Sequence, residues 1–136
     1  MMFVNLPVAD LKTSVDFFTA LGFEFDPKFT DENATAITVG ENAVVMLLVK
    51  GFFQGFTKKE ITDARASTET IIAVSADSRE DVDDLVDKAL ASGGSASNEP
   101  MEGPGMYGRS FQDPDGHLWE VVYMDIEAMD GLRDDG

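Results

Sequence analysis

The chain has 136 residues, with ten Lys and Arg against 26 Asp and Glu, a formal net charge of −16, one His and no Cys. The missing Cys excludes disulfides, thiolate zinc sites, iron–sulfur clusters and a cysteine nucleophile, and the single imidazole, His117, excludes within one chain any site that needs two. The negative charge opposes phosphate backbones and anionic lipid surfaces, so neither nucleic acid nor a membrane is expected as a partner.

The length suits one domain, or two half-size modules sharing a core. Phe3 to Val8 reads as a strand ending near Pro7. Asp10 then reads as an N-cap. Leu11, Val15, Phe18 and Leu21 recur at helical spacing, and Gly22 stands where a left-handed C-terminal residue belongs. Phe23 to Phe25 resume an extended pattern before the Asp26-Pro27 break. Ala34 to Val39 and Ala43 to Lys50 read as strands around the turn Gly40-Glu41-Asn42. Residues 1–50 thus form a βαβββ module.

Residues 51–68 are an inserted connection. Phe52, Phe53 and Phe56 lie close together without periodicity, and Thr57-Lys58-Lys59-Glu60 has capping-box form, which predicts a short helix to about Ala64. The phenylalanines suit a lid or dimer element, and equally a plug for the end of the core.

The pattern then restarts over residues 69–124. Glu69 to Ala76 reads as a strand. Asp77 or Ser78 caps a helix that carries Val82, Leu85, Val86, Ala89 and Leu90 on one face, and Gly93-Gly94 ends it. Ser95 to Ser97 suit a short strand and Glu99 to Gly105 a loop. Tyr107 to Gln112 and His117 to Met124 form two strands around Asp113-Pro114-Asp115-Gly116. The acidic tail, 125–136, is expected to fray apart from a short helix around Ile126 to Leu132. Asp10, Val15 and Phe18 match Asp77, Val82 and Leu85 at a constant offset of 67. This internal repeat predicts one α+β domain of two βαβββ modules whose free sheet faces make a shared concavity.

Two stretches carry a family resemblance. Asn5-Leu6-Pro7-Val8-Ala9-Asp10-Leu11, with Ser14, Phe17-Phe18 and Leu21-Gly22-Phe23, resembles the opening module of the vicinal oxygen chelate superfamily. Phe111 to Glu120 resembles its last hairpin. That superfamily includes glyoxalase I, extradiol dioxygenases, fosfomycin-resistance proteins and bleomycin-binding proteins. The insertion (Phe56, Ile61, Asp63) and Tyr107-Gly108-Arg109-Ser110-Phe111 are similar to a branch of predicted lactoylglutathione lyases. The resemblance implies an incomplete barrel of two βαβββ modules. In metal-using members one ligand position lies on each of four strands. Here those positions fall on Phe3, Met46, Ile71 and Glu120, with a one-residue uncertainty at Ile71 that admits Glu69 or Thr70. Among the first-choice residues, only Glu120 carries a donor for a hard divalent metal. The expectation is therefore no metal and no cofactor.

Alternation along the last strand puts Leu118, Glu120 and Val122 on one face, and His117, Trp119, Val121 and Tyr123 on the other. Glu120 can act as a base or meet a cationic ligand. It can equally be a structural acid bonded to Arg109 or a tyrosine. Arg109, beside Tyr107, can orient a carboxylate or phosphate, or pair with Glu120 or the acidic surface. His117 reads as a turn-end or surface residue. Asn5 shares a face with Phe3, as Leu48 and Lys50 do with Met46.

The first expectation is a metal-independent binder of a small molecule, cationic or aromatic, in a cytoplasmic homodimer. Its pocket would use Phe3, Asn5, Met46, Phe53, Phe56, Tyr107, Arg109 and Glu120. The alternative is a lyase or isomerase of the lactoylglutathione-lyase type with Glu120 as base.

Overall fold

Each half of the chain builds its own sheet with a helix against one face. The structure, a computed structural model, describes residues 1–128. The chain divides into two compact units, Met1–Glu69 and Thr70–Gly136.

The first unit runs β1 (Met2–Val8), α1 (Leu11–Ala20), β2 (Glu24–Phe25), a 3-10 turn (Pro27–Phe29), β3 (Ala34–Gly40), β4 (Ala43–Val49) and α2 (Lys50–Gln54). The strand order is β1-β4-β3-β2. β1 runs parallel to β4, and the other pairs are antiparallel. Asp10 caps α1 as the sequence predicts. Its carboxylate accepts from the Lys12 amide at 3.2 Å and from the Thr13 hydroxyl at 2.8 Å. The helix buries Ser14, Phe17 and Phe18. Phe18 meets Phe17 and Phe23 edge to face, at centroid distances of 4.9 and 5.8 Å. Leu6, Val8, Val45 and Leu47 form the sheet side of this core. Gly22 ends the helix at φ 95°, which a side chain would strain.

The second unit runs β5 (Ile71–Ser75), α3 (Arg79–Ala91), β6 (Ser95–Ala96), β7 (Met101–Gly103), β8 (Met106–Gln112) and β9 (Leu118–Met124). β5 is parallel to β9, β9 antiparallel to β8, and both β6 and β7 pair with β8. The second strand position of the module, held by β2 in the first unit, is thus split between β6 and β7, and part of the expected loop from Glu99 to Gly105 is strand. Ser78 caps α3, accepting from the Asp81 amide at 3.0 Å. Glu80 and Asp81 in the first turn and Lys88 in the last complement the helix dipole. Val82, Val86 and Ala89 face Phe111, Trp119 and Val121. The Phe111 and Trp119 rings stack at 6.2 Å with planes 5° apart.

The internal repeat is real, but its offset is 68. Asn5 pairs with Met46 and Ala73 with Glu120, so β1 maps onto β5 at that spacing. The buried helix positions agree, Ser14 with Val82 and Phe18 with Val86. The cap Asp10 likewise maps onto Ser78 rather than Asp77.

The connection also differs from expectation. No helix starts at Thr57; the helix is α2, five residues that follow β4 directly. The Thr57 hydroxyl accepts from the Lys59 amide, two residues on, at 3.2 Å. This local turn uses the oxygen that a capping box would have aimed one residue further. The tail helix begins at Ile126, and the rest of that expectation lies outside the described residues. No helix among the described residues is long and apolar enough to cross a membrane.

Candidate functional site

Alternation in the parallel β1–β4 pair sorts the first sheet. Val4, Leu6 and Val8 face α1, so Phe3, Asn5 and Pro7 face the other way. Their ladder partners Val44, Met46 and Leu48 share that second face. α2 packs against β1 and β4. A cavity of about 290 Å³ results, lined by Asn5, Leu48, Phe53, Phe56 and Thr57. This is near the lower end of the range for small-molecule sites.

The short connection holds its own shape. The Gly55 amide donates to Phe52 O at 3.1 Å and the Phe56 amide to Phe53 O at 3.0 Å. The Gln54 side-chain amide donates to Thr57 O at 3.0 Å and to Lys59 O at 2.9 Å. Gln54 thus folds the segment after α2 back against it and places Phe56 and Thr57. The Phe52 and Phe56 rings meet edge to face at 5.2 Å. Phe56 is 71% exposed. Chemically, the cavity offers two aromatic faces, one carboxamide that both donates and accepts, and one hydroxyl.

Of the expected pocket residues, Asn5, Phe53 and Phe56 come together here. Met46 neighbours Asn5 on the same sheet face. Phe3 packs edge to face against Phe29 at 5.5 Å. Leu48 is legible as Met46's companion by alternation. The sequence reads Thr57 as a helix cap, and only its nearness to the Phe52–Phe56 run points to this cavity.

Glu120 sits in the second unit, on the sheet face away from α3. It pairs with Ala73 on one side and Ser110 on the other. It is half-buried and makes no ion pair or side-chain hydrogen bond among the described residues. The hollow beside it, bounded also by Asn98, Glu99, Met101, Gly108, Arg109 and Ser110, holds about 20 Å³, enough for one water.

Tyr107 and Arg109 lie on the opposite face. The Tyr107 hydroxyl donates to Asp83 Oδ1 at 2.5 Å. Arg109 Nη1 donates to Asp83 and Asp87, each at 3.0 Å. Arg79 lies over the Tyr107 ring at 4.4 Å and pairs with Glu102. The Tyr107 bond, then the Arg109 guanidinium, holds the Asp83 carboxyl below its usual range, and Asp83 in turn raises the Tyr107 hydroxyl. Arg109 therefore takes the acidic-surface alternative and not Glu120.

His117 is at the end of the hairpin turn, as expected, but is buried. Its amide donates to Asp113 Oδ1 at 3.0 Å, and Trp119 Nε1 donates to Asp113 Oδ2 at 3.1 Å. Burial raises the Asp113 carboxyl above its ordinary value.

The four family ligand positions are structurally equivalent in pairs: Phe3 with Ile71, and Met46 with Glu120. β5 begins at Ile71, so Glu69 and Thr70 precede the strand. The donor set does not fit a hard divalent ion, because two of the four side chains are hydrocarbon and one is a thioether. Among the described residues no group of three or more His, Cys, Asp or Glu is placed to hold a metal.

Residues 2–121 match the model of the Glyoxalase/Bleomycin resistance protein/Dioxygenase superfamily. Among solved structures, a hypothetical protein from S. aureus is 31% identical, with a TM-score of 0.78, over 90% of this chain and 92% of that one. A glyoxalase/bleomycin resistance protein/dioxygenase family enzyme from Burkholderia phytofirmans is 17% identical, with a TM-score of 0.74, over 90% and 97%. A fosfomycin resistance protein from Listeria monocytogenes, solved with Mn(II) and sulfate, is 18% identical, with a TM-score of 0.70, over 98% and 96%. No curated protein matches the chain.

Proposed function

Since this chain belongs to the Glyoxalase/Bleomycin resistance protein/Dioxygenase superfamily, we propose that it is a small-molecule binder that takes an aromatic or apolar ligand without a metal. The observation that carries this reading is the cavity of about 290 Å³ between Asn5 and Leu48 of the sheet and Phe53, Phe56 and Thr57 of the connection. Phe53 and Phe56 supply stacking surface, and Asn5 reads one polar group. The donor chemistry of Phe3, Met46, Ile71 and Glu120 supports metal independence.

A thermal-shift screen with small aromatic compounds, run with and without a chelator, tests the proposal. The expected result is a rise in melting temperature that the chelator leaves intact and Phe53→Ala abolishes. A shift that needs Mn, Ni or Zn would overturn it. The exposed Phe3, Ile71, Met101 and Met124 support a homodimer as the assembly, which sedimentation tests; a monomer at high concentration would refute that part.

A second reading is favoured by one observation, the free Glu120 carboxylate. It is a lyase or isomerase in which Glu120 takes a proton from a carbon acid. Turnover of methylglyoxal with glutathione, lost in Glu120→Gln, would establish it in place of the binder.

A further inference from the structure

The segment that supplies three of the cavity's lining residues has a charge opposite to that of the whole chain. The whole chain carries −16, yet the stretch that supplies Phe53, Phe56 and Thr57 holds Lys50, Lys58, Lys59 and Arg65 against Glu60 and Asp63. Lys58 and Lys59 are the only adjacent basic residues in the sequence, and they directly follow the cavity residue Thr57. Elsewhere, the described ion pairs occupy Lys12, Arg79, Lys88 and Arg109. Lys50, Lys58 and Lys59 take part in no ion pair among the described residues and are exposed.

Of the acids near this segment, Glu60 directly follows Lys59, and others are held in local hydrogen bonds. Asp10, which follows β1, has both carboxylate oxygens engaged by the Lys12 amide and the Thr13 hydroxyl. Asp31 Oδ1 accepts from the Asn33 and Ala34 amides. Asp31 and Glu32 precede β3, whose first residue Ala34 pairs with the cavity residue Leu48, so they enter beside the β4 edge of the cavity and not beside β1 or the Lys58-Lys59 segment. The Asp63 carboxylate accepts from the Arg65 amide. The Gln54 bond to Lys59 O fixes where this basic segment runs.

From this we propose that the ligand is an organic anion, an aromatic or apolar body bearing a carboxylate, with its ring between Phe53 and Phe56 and its charge toward Lys58 and Lys59. The inference rests on the cavity reading above and adds the sign of the ligand's charge. It reverses the expectation drawn from net charge, because attraction at contact range is set by the nearest groups. Distant exposed charges are screened within about 8–10 Å at physiological salt. Asn5 and Thr57 add neutral donors that suit a carboxylate oxygen.

The test compares three compounds with one ring system: 2-naphthoate, 2-naphthamide and 2-naphthylmethylammonium. Binding to the full chain is followed by calorimetry at low and high NaCl. The expected order is naphthoate first, roughly five- to tenfold tighter than the amide, with the ammonium weakest. Salt should narrow the spread by weakening naphthoate and strengthening the ammonium, with the amide unchanged. In Lys58→Gln/Lys59→Gln, naphthoate should fall to the amide's affinity while the amide is unchanged. The amide also reports that this variant is folded. In Phe53→Ala all three should be lost, with the circular dichroism spectrum retained. Equal affinities, tighter ammonium binding or an unaltered naphthoate affinity in the lysine variant would overturn the anion proposal and leave the cavity reading standing. No binding by any of the three would overturn both.

Discussion

Arg109 and Glu120 lie on opposite faces of one sheet. The β8–β9 ladder pairs Arg109 with Val121 and Ser110 with Glu120, and successive residues alternate faces. Arg109 is committed to Asp83 and Asp87 on α3, while the Glu120 carboxylate is left on the other side. Arg109 borders the small hollow beside Glu120, but its guanidinium is held on the α3 side by Asp83 and Asp87.

A double-mutant cycle in urea should show this separation. Arg109→Gln and Glu120→Gln should add within about 0.3–0.5 kcal/mol, as sites without shared partners do. Arg109→Gln and Asp83→Asn should show a coupling of a few tenths of a kcal/mol, and up to about 1, because Asp83 is partly exposed. A larger Arg109–Glu120 coupling than Arg109–Asp83 coupling would contradict the placement.

The Tyr107–Asp83 bond predicts two opposite pH effects. The Tyr107 hydroxyl is raised, first by its bond to Asp83 and then by burial. Its stabilising contribution is whole below the ordinary tyrosine value of about 10 and is lost as pH rises through the folded value. Asp83 is lowered, so its contribution is whole above the ordinary carboxylate range and is lost as pH falls through the folded value. An ultraviolet tyrosinate titration should show one of the two tyrosines moving to lower pH in Asp83→Asn. Identical curves for the two proteins would refute the bond.

Asp113 organises the β8–β9 hairpin by accepting from the amides of Asp115 and His117, each at 3.0 Å, and from Trp119 Nε1. Asp113→Ala should cost about 3 kcal/mol or more, since several buried donors lose their acceptor. Asp113→Asn keeps one carbonyl but can set an NH2 against the Trp119 N–H, at about 1–2 kcal/mol. Burial raises the folded carboxyl, so the native state holds this proton longer than the unfolded chain does. Stability from this group should therefore decline as pH climbs from about 4 to the folded value, and that slope should vanish in Asp113→Asn. Urea midpoints across that range decide it.

At the start of α1, Asp10→Ala removes an oxygen that caps the Lys12 amide and another that holds Thr13. A loss of about 1 kcal/mol is expected. Phe18→Ala, 1% exposed in the same core, should cost about 3–5 kcal/mol. Comparable losses in thermal melts would mean that α1 is held by its cap more than by packing.

Much of the site was readable one residue at a time. Asn5 with Phe3, and Leu48 with Met46, follow from alternation, and the β1–β4 ladder confirms their shared face. The Arg109 face was readable too, once the Asp113–Gly116 turn sets Gln112 opposite Leu118. Counting back along that register puts Arg109 beside Val121. What misled was adjacency, since neighbouring strands need not send neighbouring residues to one side. The position of α2 was not readable. Thr57 had the residue types of a capping box, but a Thr hydroxyl can serve a local turn as easily as a helix.

The sequence by itself determined the two βαβββ modules, their capped helices, the last hairpin and the poverty of metal donors. Those features rest on short-range rules: periodicity, turn chemistry and residue type. Tertiary structure alone decided that Asp83 and Asp87 claim Arg109, that the repeat runs at 68, and that Phe53, Phe56 and Thr57 fold back toward Asn5 and Leu48. A net −16 describes the whole surface, whereas a ligand meets the few groups beside its own cavity, and only the tertiary structure brings Asn5 and Leu48 together with Phe53, Phe56 and Thr57 there.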